Sequence, residues 1–170
     1  MIDIFRQKNA PAFEVALRLG AIYAGLPAYE EVEDVLEEYS EALGIAYQIR
    51  DDLTDLGAAA ETSDIAALRP SLLLAVAHER ADEAQRAALA PLWARAAIDP
   101  AAIEALYREV GTEDRCRDLL ERYKEAAIRA LRDLESASLK GLLRRVVGKV
   151  FNETEIKGWC KEFTPAGIKE

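Results

Sequence analysis

The chain has 170 residues, 51% of them hydrophobic, and a formal net charge of -9. That is enough apolar material for one domain with a buried core, while the acidic balance excludes nucleic acid as a general partner, since phosphate backbones require a basic face. No run approaches the roughly 20 apolar residues of a membrane span, and the opening MIDIFRQKNA has neither the apolar stretch nor the cleavage site of a secretory signal, so a cytoplasmic location is expected.

Ala, Leu, Glu and Arg dominate, apolar residues recur at spacings of three and four, and no window alternates with period two, so the fold class is all-α. The first helix is expected from Ile2 to Ala24, ending near Gly25 and Pro27, with Pro11 breaking or kinking it close to Lys8 and Asn9. A second runs from Ala28 to Leu56, its acidic front suited to a helix N-terminus, and stops at Gly57. After the loop GAAAETSD, Pro70 and Ser71 open a third that reaches Leu89, before Pro91, and a short helix is expected between Leu92 and Ala97. Asp99 and Pro100 start a helix to Val110, Gly111 ends it, and Thr112 caps a long helix to Leu134. Ser138 is expected to cap the next, which places Leu139, Leu142, Leu143, Val146, Val147 and Val150 on one side and Arg144, Arg145 and Lys149 elsewhere. Asn152 with Glu155 resembles a capping pair for a last helix through Trp159. No internal repeat or low-complexity linker occurs, so seven or eight helices are expected around one core, with residues 1–170 as one domain.

The stretch YQIRDDLTDLG, residues 47–57, concentrates acids at a helix end. Asp51 and Asp55, four apart, share a face about 6 Å apart along the axis, with Asp52 about 100° round. Gly44, Gln48, Asp51 and Asp55 form a stripe. Clustered carboxylates raise one another's affinity for protons unless a cation relieves them, and hard oxygen donors with room for water suit magnesium. Magnesium commonly shares its shell with substrate phosphates, so Mg²⁺ bridged to a diphosphate is the functional reading. The plain alternative is a solvated acidic face. Against it stand the helix dipole, which disfavours acids in the last turns, and the scarcity of neighbouring bases: Arg50 is the only one close in sequence and leaves the cluster unrelieved. His78, the only histidine, reads as a partly exposed structural residue, and Trp93 and Trp159 as packing residues. Tyr23, Tyr39, Tyr47 and Tyr107 suit core or cavity-wall positions. Cys116 and Cys160 lack metal-ligand spacing and are expected as reduced thiols. The basic stripe Arg144, Arg145 and Lys149 is expected to be a solvated face.

LGIAYQIRDDLTD resembles the second aspartate-rich motif of the trans-polyprenyl (isoprenyl) diphosphate synthases: Gly, a short spacer, aromatic-Gln, two residues, then Asp-Asp-x-x-Asp. QKNAPAFEVALRLGAIYAG resembles that family's preceding helix with its Lys-Thr-Ala start, and SDIAALRPSLLLAVA its later Asp-x-x-x-Gly-Lys-x-Thr-Leu-Pro segment. The resemblance implies an isoprenoid-synthase-like helical bundle and a prenyl transfer, in which an allylic diphosphate ionises and the double bond of isopentenyl diphosphate attacks the resulting cation. It implies that Asp51, Asp52 and Asp55 hold Mg²⁺ directly or through water, that Lys8 contacts the allylic diphosphate, and that Asn9 and Gln48 are the catalytic polar groups facing the developing cation. Arg69 is a candidate anion contact and Tyr47 a candidate lining of the prenyl cavity.

Three departures accompany these matches. Asn9 stands where threonine is usual, Leu68-Arg69 replaces Gly-Lys, and the loop LGAAAETSD carries no base. The first aspartate-rich motif and the isopentenyl-diphosphate elements are missing, so the chain is expected to be the C-terminal half of such a synthase. It should be inactive alone and should self-associate or pair with a chain supplying the N-terminal half, because a half site loses the proximity that prenyl transfer needs. The competing expectation is a noncatalytic interaction or regulatory subunit that retains the aspartates.

Overall fold

The computed structural model describes residues 1–25, 30, 32–56, 65, 67, 69–96 and 99–152. Among these the fold is all-α, with seven α-helices and no strand: α1 Ile2–Ala24, α2 Glu33–Asp55, α3 Leu72–Arg80, α4 Glu83–Trp93, α5 Pro100–Glu109, α6 Thr112–Ala130 and α7 Ala137–Val150. A short 3₁₀ turn, Leu131–Asp133, follows α6.

α2 is the spine of the molecule. It packs most extensively against α1 on one side and α6 on the other, because apolar and small residues run without interruption through its middle, from Ala42 to Ala46, and make that stretch buried all round. Two buried clusters form along it where one core was expected. Ile45 and Ile49 pack with Phe5, Leu73, Leu74, Leu89, Ile103, Tyr107 and Cys116. Leu36, Tyr39 and Leu43 pack with Ala127, Ile128, Leu131, Leu143 and Val147. Tyr39 is fully buried, and its hydroxyl donates to Leu143 O at 2.8 Å, tying α2 to α7.

Several boundaries differ from expectation for identifiable reasons. α1 runs through Pro11 without a break, although Pro11 has no N–H to donate to the preceding turn. α2 begins at Glu33, five residues after Ala28; residues 26–29, like Gly57 and the loop that follows it, lie outside the described set. The expected third helix is two helices. Ser71 does cap α3, accepting from Leu74 N, but Ala81 is extended and Asp82 opens α4 with a capping box: its carboxylate accepts from Gln85 N at 2.8 Å while Gln85 Oε1 accepts from Asp82 N at 2.9 Å. Pro91 lies inside α4, and Arg95 at φ 52 turns the chain after Trp93, so Leu92 belongs to α4 and starts no helix of its own. Gly111, left-handed at φ 66, takes the cap position expected of Thr112, which is the first residue of α6. α6 ends at Ala130, four residues before Leu134. Ser136, not Ser138, caps α7, accepting from Leu139 N at 3.3 Å. Glu155 and Trp159 lie outside the described residues, as does Cys160.

The outer face of α1 is apolar and uncovered: Ile4, Val15, Leu19, Ile22 and Tyr23 are all exposed. Tyr23, expected in a core or cavity wall, is 95% accessible. Leu142 of α7 is also exposed, apart from the buried Leu143 and Val147. No helix of the described residues is long and apolar enough to cross a membrane.

Candidate diphosphate site

α1 and α2 approach each other closely at Gly44. A Cβ there would lie 2.7 Å from Ala10 Cα and N, so only glycine admits the backbone of α1 at this point. One turn further along α2, the closeness lets two side chains meet: Asn9 Nδ2 donates to Gln48 Oε1 at 2.7 Å. One more turn on, Gln48 Nε2 donates to Asp52 Oδ1 at 2.8 Å. The other oxygen of Asp52, Oδ2, accepts from Leu72 N at 2.7 Å, the first amide of α3. Four residues from three helices are thus joined in series, and they come from the three segments that carry the family resemblance.

Asp52 is buried. Burial pushes its carboxyl above the usual range; the bonds from Leu72 and Gln48 and the charge of Lys8 pull it back, while neighbouring Asp51 adds to the rise. Lys8 itself is exposed. Helix geometry therefore draws a different stripe from the expected one. Gly44, Gln48 and Asp52, at spacings of four, point into the structure, and Asp51, about 100° away, turns toward Arg50.

Arg50 relieves the acid cluster, contrary to expectation. Its Nη2 meets Asp51 Oδ1 at 2.9 Å, its guanidinium lies 4.4 Å from the centroid of the Tyr47 ring and 5.8 Å from that of Phe151, and Nη1 donates to Val150 O. Tyr47 packs in turn against Phe13, with ring centroids 5.8 Å apart. Sequence reasoning missed this clamp. The available signal was an arginine three residues after a tyrosine, one helical turn away; its second aromatic partner, 101 positions on, had no local signal.

Asp51 and Asp55 are both half-buried and one turn apart. Magnesium requires hard oxygen donors. Among the described residues no three His, Cys, Asp or Glu side chains are arranged to hold a metal ion. The donor set present therefore fits Mg²⁺ only in part: Asp51 and Asp55 share one side of α2, while Asp52, turned inward, accepts hydrogen bonds at both oxygens. Arg69 is exposed just before α3. A groove of about 420 Å³ opens beside the end of α2, lined by Leu53, Thr54 and Leu56 with Tyr107, Arg108 and Asp114. A larger one of about 710 Å³ lies between the first half of α2 and the end of α6, away from the motif.

Comparison with known proteins gives a consistent result. The family description "Polyprenyl synthetase" matches residues 1–110. A curated short chain isoprenyl diphosphate synthase of Methanocaldococcus jannaschii is 34% identical over 55 residues, which are 32% of this chain and 16% of that one. Among solved structures, a decaprenyl diphosphate synthase from Rhodobacter capsulatus superposes with a TM-score of 0.75 at 27% identity, covering 89% of this chain and 49% of the other. A polyprenyl synthase from Roseobacter denitrificans gives 0.77 at 25% identity, covering 89% and 51%. This chain spans about half the length of the solved synthases that it matches.

Proposed function

Because the chain belongs to the polyprenyl synthetase family, we propose that it forms one wall of a prenyl diphosphate site, the C-terminal half of a trans-prenyltransferase that joins an allylic diphosphate to isopentenyl diphosphate. The observation that carries this reading is the series Asn9, Gln48, Asp52, Leu72 N, which brings the three resembling segments to one place. Asp51 and Asp55 would supply oxygen ligands to Mg²⁺, which, when bound, offsets the charge of a departing diphosphate. Lys8, on the same turn as Asn9, binds diphosphate oxygens. The amide oxygen of Asn9, at the outer end of the series, turns partial negative charge toward the allylic carbons as their bond to oxygen breaks, and Gln48, whose own oxygen accepts from Asn9, holds it there, an electrostatic contribution that is set in place before the reaction. Tyr47, held between Phe13 and Arg50, lines the apolar side, and Arg69 offers a second anion contact. The second diphosphate would be bound by the other half, which covers the apolar face of α1 at Ile4, Val15, Leu19 and Ile22; the chain alone has negligible activity.

Calorimetry with a nonreactive allylic diphosphate analogue tests the reading. Binding should require Mg²⁺ and vanish in Asp51→Ala. Binding that ignores both would refute it, and robust product formation by the chain alone would refute the half-site part. The absence of a three-acid cluster among the described residues and the pairing of Asp51 with Arg50 favour a second reading, a noncatalytic subunit that binds a partner synthase. Under that reading, association with the partner survives Asp51→Ala and no analogue binds.

A further inference from the structure

Gln48 sits between two groups with opposite demands. Both oxygens of Asp52 meet donors, Gln48 Nε2 and Leu72 N, and an ionised carboxylate can only accept. The demand propagates outward. Gln48 must turn its NH₂ to Asp52, so it must offer Oε1 to Asn9, and Asn9 must then turn its own NH₂ inward. Asn9 Oδ1, at the outer end, accepts no hydrogen bond among the described residues.

We propose that Asp52 is a positioning residue and not a metal ligand: its carboxylate sets the direction of the Gln48–Asn9 amide series, so that position 9 shows a carbonyl oxygen beside Lys8. Gly44 permits the series by admitting α1, and the first amide of α3 anchors its inner end. That the oxygen faces an allylic cation rests on the function proposed above; the direction of the series does not.

The substitution Asp52→Asn gives a sharp test, because asparagine has one acceptor and one donor where aspartate has two acceptors. The Leu72 N–H cannot be turned, so the new amide must give its oxygen to Leu72 and its NH₂ to Gln48. Gln48 then flips, Asn9 flips after it, and the outer end becomes an NH₂. In ¹H–¹⁵N spectra of the side-chain amides of the 170-residue chain, the Asn9 NH₂ should exchange with water slowly in the wild type and about tenfold faster in Asp52→Asn, the change expected for losing one hydrogen bond. Thermal unfolding supplies the rescue: Asn9→Asp should lower the melting temperature alone, because a carboxylate then faces Gln48 Oε1, and should be tolerated in the Asp52→Asn background, where the flipped Gln48 offers it a donor.

If Asp52→Asn does not fold, Asn9→Thr against Asn9→Asp decides. The threonine hydroxyl can donate to Gln48 and should keep the melting temperature, whereas aspartate should lower it. Unchanged Asn9 exchange in Asp52→Asn, or free tolerance of Asn9→Asp in the wild type, overturns the proposal. Failure of the wild type to bind the diphosphate analogue while the series inverts as described would remove the proposed function and leave the role of Asp52 standing.

Discussion

Placing a methyl group on Gly44 perturbs a tight approach between α1 and α2. The added Cβ would stand 2.7 Å from Ala10 Cα, where ordinary contact begins at 3.4 Å, so α1 must recede by about 0.7 Å, the difference of the two. Moved by that amount along its own direction, the 2.7 Å bond from Asn9 to Gln48 would open to about 3.4 Å, beyond the usual range for N–H···O. Overpacking of this kind costs about 1–3 kcal/mol, and the lost bond about 1 kcal/mol more. The gain in helix propensity returns up to about 1 kcal/mol, leaving a net loss of about 1–3 kcal/mol. For a chain of this size each kcal/mol moves the melting temperature by about 2–4 °C, so Gly44→Ala should melt roughly 2–12 °C lower. Gly20, in α1 with nothing within 4 Å, is the internal control: Gly20→Ala has only the propensity gain and should melt slightly higher. Calorimetric scans of the two variants beside the wild type decide the matter. If Gly44→Ala melts at or above the wild type, the helices are not held at the separation described, and the contact between Asn9 and Gln48 loses its cause.

Tyr39→Phe removes the buried bond to Leu143 O and should cost about 0.5–1.5 kcal/mol in urea unfolding with an unchanged slope; an undiminished midpoint would show that α7 is not tied to α2 this way. Cys116 is buried, and burial pushes its thiol up to about 12 from an ordinary value of 9.0, with the Asp52 charge adding to the rise. The folded value being the higher, stability from this group is complete below pH 9 and is lost as the pH climbs toward 12, because only the unfolded thiol releases its proton in that window. The stability difference between wild type and Cys116→Ala should therefore shrink from pH 8 to pH 11, and a difference that holds constant over that range would count against the burial argument. In a Cys160→Ser background the remaining thiol should react with a disulfide reagent only as fast as the protein opens.

The helical class, the breaks near residues 25, 57 and 111 and the cap at Asp99 were legible because each depends on a few neighbouring residues. The division of the expected third helix at Asp82 was legible too, in the pattern Asp-x-x-Gln, but an unbroken apolar periodicity masked it. The candidate site could be read from the sequence as a list of residues and not as an arrangement. Lys8, Asn9, Gln48 and the three aspartates could be named from spacing and resemblance, whereas Arg50 as a clamp across Tyr47 and Phe151 joins positions too distant for any local pattern.

The sequence by itself determined that Asp51 and Asp52 would point in directions about 100° apart, since that follows from the helical repeat. It could not say which of them would face inward. Only the tertiary structure decided this, by bringing α1 against Gly44 and the first amide of α3 against Asp52, and so burying one carboxylate among donors while leaving its neighbour to Arg50. The physical reason is that a carboxylate's environment, and with it the choice between anchoring a helix and meeting a cation, is set by the groups that arrive from elsewhere in the chain.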